Sequence, residues 1–146
     1  MLERILLATD LSAEGEAAWV ISRTLARQAG CRELSVACVQ PAPAAYSEFD
    51  SDRVLRRVYD AECQQANDAL KRYVDACFAE GLTVRTSMIS GPLAEAIARI
   101  ARQEHADLIV LGIRHADMID RLLGKSLVGQ VARAAPCHVL IVRPSR

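Results

Sequence analysis

Short, continuously apolar runs alternate along this chain with longer segments in which apolar residues recur every three or four positions. Residues 5–8 (ILLA) are apolar without a break, which predicts a strand buried on both faces; it ends at Thr9-Asp10. Ser12 then stands as an N-cap, with Glu14 and Glu16 in the first turn, where the helix dipole favours acids. Ala18, Ile21 and Leu25 mark the expected buried face of that helix, and Gly30 its end. Residues 34–39 (LSVACV) read as a second strand, and 40–52, with Pro41 and Pro43, as a loop. A long helix over 53–80 puts Ala66, Leu70, Tyr73 and Cys77 on one side and Arg56, Arg57, Asp60, Lys71 and Arg72 in solvent; Gly81 stops it. Residues 83–89 (TVRTSMI) alternate and carry β-branched side chains, as a strand near a sheet edge does. Gly91-Pro92 opens a helix with Pro at its first position and Leu93, Ile97, Ile100 and Ala101 inward.

The most informative stretch follows. Residues 108–111 (LIVL) form an apolar run stopped by Gly112, and a loop holds Arg114, His115, Asp117, Asp120 and Arg121. Gly124-Lys125-Ser126 then opens a segment with Val128, Val131, Ala132 and Ala135 at helical spacing. Ala135-Pro136 ends it, and residues 137–142 (CHVLIV) make the last strand. A buried strand, a polar loop and a helix start preceded by glycine is an arrangement that cradles phosphate. The helix start offers free N–H groups and partial positive charge, the glycine lets backbone approach, Lys125 adds charge and Ser126 can cap or donate.

Strands and helices alternate throughout, β-α-β-α-β-α-β-α-β. That order predicts an α/β, doubly wound parallel sheet with helices on both faces and right-handed crossovers. In such a sheet ligands sit at the carboxyl ends of the strands where strand order reverses. Asp10 follows the first strand, Gln40 the second, and the loop from Arg114 to Ser126 the fourth.

The 146 residues suit one domain over 1–146, without repeats or an interdomain linker. Eighteen basic and eighteen acidic side chains cancel, which argues against nucleic acid while leaving room for a small anionic ligand. With 4% aromatic residues, stacking platforms for single strands are not expected either. Five cysteines, an odd number with no CxxC pair, argue against a disulfide framework or zinc site and for a reducing cytosol. Cys38 and Cys137 lie in apolar runs and are expected to pack as small hydrophobes. The start MLERILLATD carries an early charge pair and too short an apolar run for a signal peptide, and no stretch is long enough to span a bilayer. A cytosolic protein without membrane contact is the expectation.

The residues ILLATDLS, LSVACVQP, SGPLAEAI, ADLIVLG and APCHVLIVRP together resemble the universal stress protein family over essentially the whole chain. The last two are the most specific, in sequence and in their spacing to each other. Cys38 stands where many members carry His. The resemblance implies a five-stranded sheet of order 3-2-1-4-5, like that of the adenine nucleotide alpha hydrolases, together with a homodimer and a role in stress survival. Many members bind ATP through Gly, two residues, Gly, nine residues, then Gly-Ser or Gly-Thr. Here Gly112 matches the first glycine, His115 replaces the second, Lys125 occupies the third and Ser126 falls on the hydroxyl position. Leu122-Leu123-Gly124 fits a subgroup whose glycine comes one residue earlier. For ATP, with or without Mg, the resemblance places Asp10 beside base or ribose and gives Val39 backbone contacts to adenine. It sets Gly112 where ribose and phosphates approach the sheet and puts Gly124, Lys125 and Ser126 on the phosphates. Arg114 joins them on charge alone.

Plainer readings stand beside these. Gly124-Lys125-Ser126 imitates the tail of a Walker motif, but Ile119 occupies the position of its first glycine, which rejects a true P-loop. Ser126 can simply cap a helix, and Asp10 can be a turn residue. His105, His115 and His138 show neither metal spacing nor a catalytic partner. Trp19 lies off its helix's apolar stripe, so it either covers a neighbouring strand or sits half exposed. In order 3-2-1-4-5 the last strand, with Cys137 and Val142 at its ends, lies at a bare apolar edge, which a second copy covers by two-fold pairing.

Two functions follow. One is a cytosolic, homodimeric, ATP-binding stress regulator that acts on a protein partner and is no enzyme beyond slow hydrolysis. The other is a dimeric interaction protein of the same family that binds no nucleotide. A small α/β hydrolase or nucleotidyl transferase is weaker, since no Gly-x-Ser-x-Gly elbow or nucleophile–base pair appears.

Overall fold

The computed structural model describes residues 2–39, 53–89, 92–113, 119–120 and 125–143. In chain order the elements are β1 (Ile5–Thr9), a 3-10 turn (Ala13–Gly15), α1 (Glu16–Ala29), β2 (Glu33–Val39), α2 (Arg53–Ala79), β3 (Thr83–Ile89), α3 (Leu93–Gln103) and β4 (Leu108–Gly112). Then come two short strands, β5 (Ile119–Asp120) and β6 (Lys125–Ser126), followed by α4 (Leu127–Ala134) and β7 (His138–Ile141). The main sheet has five strands in the order β3-β2-β1-β4-β7, every neighbouring pair parallel. This is the expected 3-2-1-4-5, with β7 as its fifth strand.

The unbroken apolar run of β1 has a direct cause. Ile5 and Leu7 enter one core with Leu34, Val36 and Val110, under Trp19 and Ala26 of α1 and Tyr73 and Cys77 of α2. Leu6 and Ala8 enter the opposite core with Ile109 and Leu111, under Ile97 and Ile100 of α3 and Leu127 and Val131 of α4. A strand covered on both faces has no side on which a polar residue is free of cost. The strand starts are tied together by Asp107, which accepts hydrogen bonds from the backbone N–H of Glu3 at 2.9 Å and of Arg4 at 3.0 Å.

Several local expectations are met. Gly30 closes α1 at φ 75°, its N–H donating to the carbonyls of Ala26 and Arg27, a left-handed cap that glycine takes without a Cβ clash. All five cysteines are free, Cys38 buried and Cys137 half-buried against the α3/α4 core.

Others shift. Pro92 is the extended N-cap of α3, ahead of its first helical residue. The inward face of α1 is Ala18, Trp19, Ser22 and Ala26, while Ile21 is 37% exposed. Small residues let α1 lie close on β1 and β4, so the bulkier aliphatics move to its flanks. Trp19 is buried by α2, its ring stacked on Tyr73 with centroids 4.2 Å apart.

Candidate functional site

The connections from β1 through β2 to β3 run one way along the sheet, and β4 and β7 lie on the other side of β1. The strand order therefore reverses between β1 and β4, and the carboxyl ends of these two strands are the place where doubly wound sheets take their ligands. The register sets three of the expected residues around it. Thr9 pairs with Cys38 on one side and Gly112 on the other, so Asp10, Val39 and Gly112 all stand at the ends of adjacent parallel strands.

The turn after β1 is built from its own side chains. Thr9 is fully buried and its Oγ1 accepts from the N–H of Leu11 at 3.0 Å. The Asp10 carboxylate accepts from the Ser12 N–H at 3.0 Å and from the Ser12 hydroxyl at 2.5 Å. Ser12 caps the 3-10 turn by accepting from the Gly15 N–H at 3.3 Å. Leu11, at the centre, holds φ at 60°, a left-handed conformation unusual for a branched side chain. The turn residue reading of Asp10 is thus real, and it also fixes one carboxylate oxygen at the end of β1. Beside Val39, burial pushes the Cys38 thiol up to about 11.

Gly112 has a structural reason of its own. A Cβ there would meet the Ala18 Cβ at 2.5 Å and the Gly15 carbonyl oxygen at 3.3 Å. A Cβ on Gly15 would in turn press into the Gly112 carbonyl. The two glycines and Ala18 let the head of α1 rest directly on the end of β4. Gly15 falls inside the helix expected to start at Ser12, so nothing in the sequence marks it; in the structure it is the N-cap residue of α1, where the close approach requires it.

The phosphate loop is corrected in part. Lys125 and Ser126 do not open the helix. They form β6, paired antiparallel with Ile119 and Asp120, and α4 begins at Leu127. Ser126 is the extended N-cap residue but its side chain makes no capping hydrogen bond. Backbone pairing with β5 holds Ser126 extended at ψ 130°, so the helical turn starts one residue later. Because α4 leads into β7, which runs parallel to β4, its first turn faces the carboxyl end of the sheet. Arg114, His115, Asp117 and Gly124, like Gln40, lie outside the described residues. Among the described residues no group of three His, Cys, Asp or Glu could hold a metal, and no helix is long and apolar enough to cross a membrane.

The family model described as "Universal stress protein family" matches residues 1–143. The chain belongs to this family. Among its universal stress protein relatives, the one in the QAH/OAS sulfhydrylase 3′ region of Thermus aquaticus is 33% identical over 145 residues, 98% of this chain and all of that protein. A solved universal stress protein in complex with cAMP is similar at TM-score 0.60 and 24% identity, covering 99% of this chain and 98% of the other. A universal stress protein family protein from Arabidopsis thaliana with AMP bound is similar at TM-score 0.62 and 14% identity, covering 98% and 92%. At these identities the two solved structures establish the fold, that of a universal stress protein.

Proposed function

We propose that this chain is a homodimeric, cytosolic stress-response regulator that binds an adenine nucleotide, ATP with or without Mg, between the ends of β1 and β4. The observation that carries the reading is the meeting of Asp10, Val39 and Gly112 at the ends of three adjacent parallel strands, where the order reverses. Two structural neighbours described with cAMP and AMP support the same ligand class. In this reading Asp10 takes ribose or base, Val39 offers backbone groups to adenine, and the head of α4 with Lys125 and Ser126 meets the phosphates. Arg114 and Gly124 complete the phosphate side. No residue is assigned to catalysis, so hydrolysis is at most slow.

The second reading, a dimeric interaction protein without nucleotide, is favoured by one observation. Gly112 is already required by α1 packing and needs no ligand to explain it.

Melting curves with Mg-ATP, AMP and cAMP separate the two. Nucleotide binding raises the melting temperature, and the Gly124→Leu variant loses the rise. A flat response at millimolar nucleotide discards the nucleotide reading and leaves the interaction protein.

A further inference from the structure

The Ser12 hydroxyl has two partners in the turn after β1. Its oxygen accepts from the Gly15 N–H at 3.3 Å, and its proton goes to Asp10 Oδ1 at 2.5 Å. The backbone N–H of Ser12 donates to the same oxygen at 3.0 Å. A helix cap needs only the acceptor, and aspartate supplies one as well as serine does. A turn closed by the Asp10 side chain needs only a backbone N–H, which any residue but proline brings at position 12. Doing both takes one atom that accepts and donates, which among short side chains leaves serine and threonine. The residue type thus goes beyond what a cap or a turn requires.

Packing carries the link further. Gly15 lies so close to the Gly112 carbonyl that a Cβ would press into it, and that Cβ would also come within 3.1 Å of Thr9 Oγ1. Ser12 therefore joins Asp10, at the end of β1, to the backbone that rests on the end of β4. Between Asp10 and Ser12, Leu11 is held at φ 60°, and its N–H is taken by Thr9 Oγ1 at 3.0 Å. A left-handed leucine persists only where its surroundings over-determine it, and such strain clusters at ligand sites. We propose that Ser12 is the positioning residue of the site between β1 and β4. Its hydroxyl fixes the plane of the Asp10 carboxylate and holds it in register with Gly112, so that a nucleotide meets both as preformed contacts. An acceptor already held in place costs the ligand less ordering than one that rotates. The inference rests on the nucleotide reading and adds to it a residue that acts through Asp10.

Calorimetry with Mg-ATP and with AMP, run on the full chain well below the melting temperature of every variant, tests this. Ser12→Ala removes both hydrogen bonds of the hydroxyl and Ser12→Thr keeps them; the extended backbone of residue 12, at φ −76° and ψ 163°, suits either. Ser12→Ala is expected to weaken binding roughly tenfold, and Ser12→Thr to stay within about twofold of the unaltered chain. Loss of the cap alone would act in any background, so a cycle with Asp10→Ala separates the two roles. Without the carboxylate the serine has nothing to hold, and its removal is expected to cost no further affinity. Where Asp10→Ala binds too weakly to measure, the rescue by threonine decides. Unchanged affinity in Ser12→Ala overturns the proposal. So does a Ser12→Thr variant as weak as Ser12→Ala, or an equal loss with and without Asp10, which would make Ser12 a cap and nothing more. An unaltered chain that binds neither nucleotide sinks the β1/β4 reading itself, whereas binding indifferent to Ser12 sinks only the positioning role.

Discussion

Gly112 and Ala18 stand so close that a single methyl group on the glycine would come within 2.5 Å of the alanine's. The contact joins the end of β4 to the first turns of α1, and thereby sets the distance between the helix and the strand that borders β1 where the strand order reverses. A backbone glycine at this point is a requirement of packing before it is anything else.

Gly112→Ala is therefore expected to destabilise the protein by about 1–3 kcal/mol, the range for overfilling a tight contact. Ala18→Gly alone costs about 1 kcal/mol through helix propensity. The pair Ala18→Gly with Gly112→Ala is expected to recover part of the combined loss, because the one methyl removed is the one the other would strike. Urea denaturation of the four proteins in this cycle measures the coupling. Strict additivity would show that the contact does not govern this packing.

Two core cysteines, Cys38 and Cys77, give a second handle on stability. Burial raises the thiols of Cys38 and Cys77 from the ordinary 9.0 to about 11. The unfolded chain thus releases these protons at lower pH than the folded one. Their contribution is fully present below pH 9 and is lost as pH rises toward about 11. The expected slope is on the order of 1 kcal/mol per pH unit for each thiol within that window. Urea midpoints across the window, compared with those of the Cys38→Ala, Cys77→Ala double variant, test this. The variant should lose stability less steeply with alkali, and parallel curves would refute the assignment.

The β7 edge carries the dimer proposal. Leu140 and Val142 pack partly against the α1/α2 core, Cys137 and Val139 against the α3/α4 core, and Ile141 is 44% exposed. An apolar edge strand with unpaired backbone groups invites a second copy. Ile141→Lys is expected to shift the protein from dimer to monomer in sedimentation velocity while leaving its circular dichroism unchanged. A wild-type monomer at micromolar concentration would remove this interface.

The sheet was readable because burial on both faces forces the inner strands β1 and β4 into apolar runs, and Gly30 and Gly81 punctuate the helices by left-handed caps. Strand bounds at residues 5–9, 83–89 and 108–112 fall within a residue of where hydropathy puts them. Asp10, Val39 and Gly112 could be placed at strand ends for the same reason. The start of α4 could not, since Lys125 and Ser126 have helical neighbours on one side and answer instead to a pairing with Ile119 and Asp120.

What the sequence by itself determined, then, is the alternation of elements, the parallel sheet and the positions of its carboxyl ends, all consequences of local periodicity. Only the tertiary structure decided which face of α1 turns inward, that Trp19 stacks on Tyr73, and that Gly112 serves Ala18 and Gly15. Those outcomes depend on how closely a helix approaches a sheet, and that distance is set by side chains far apart in the chain.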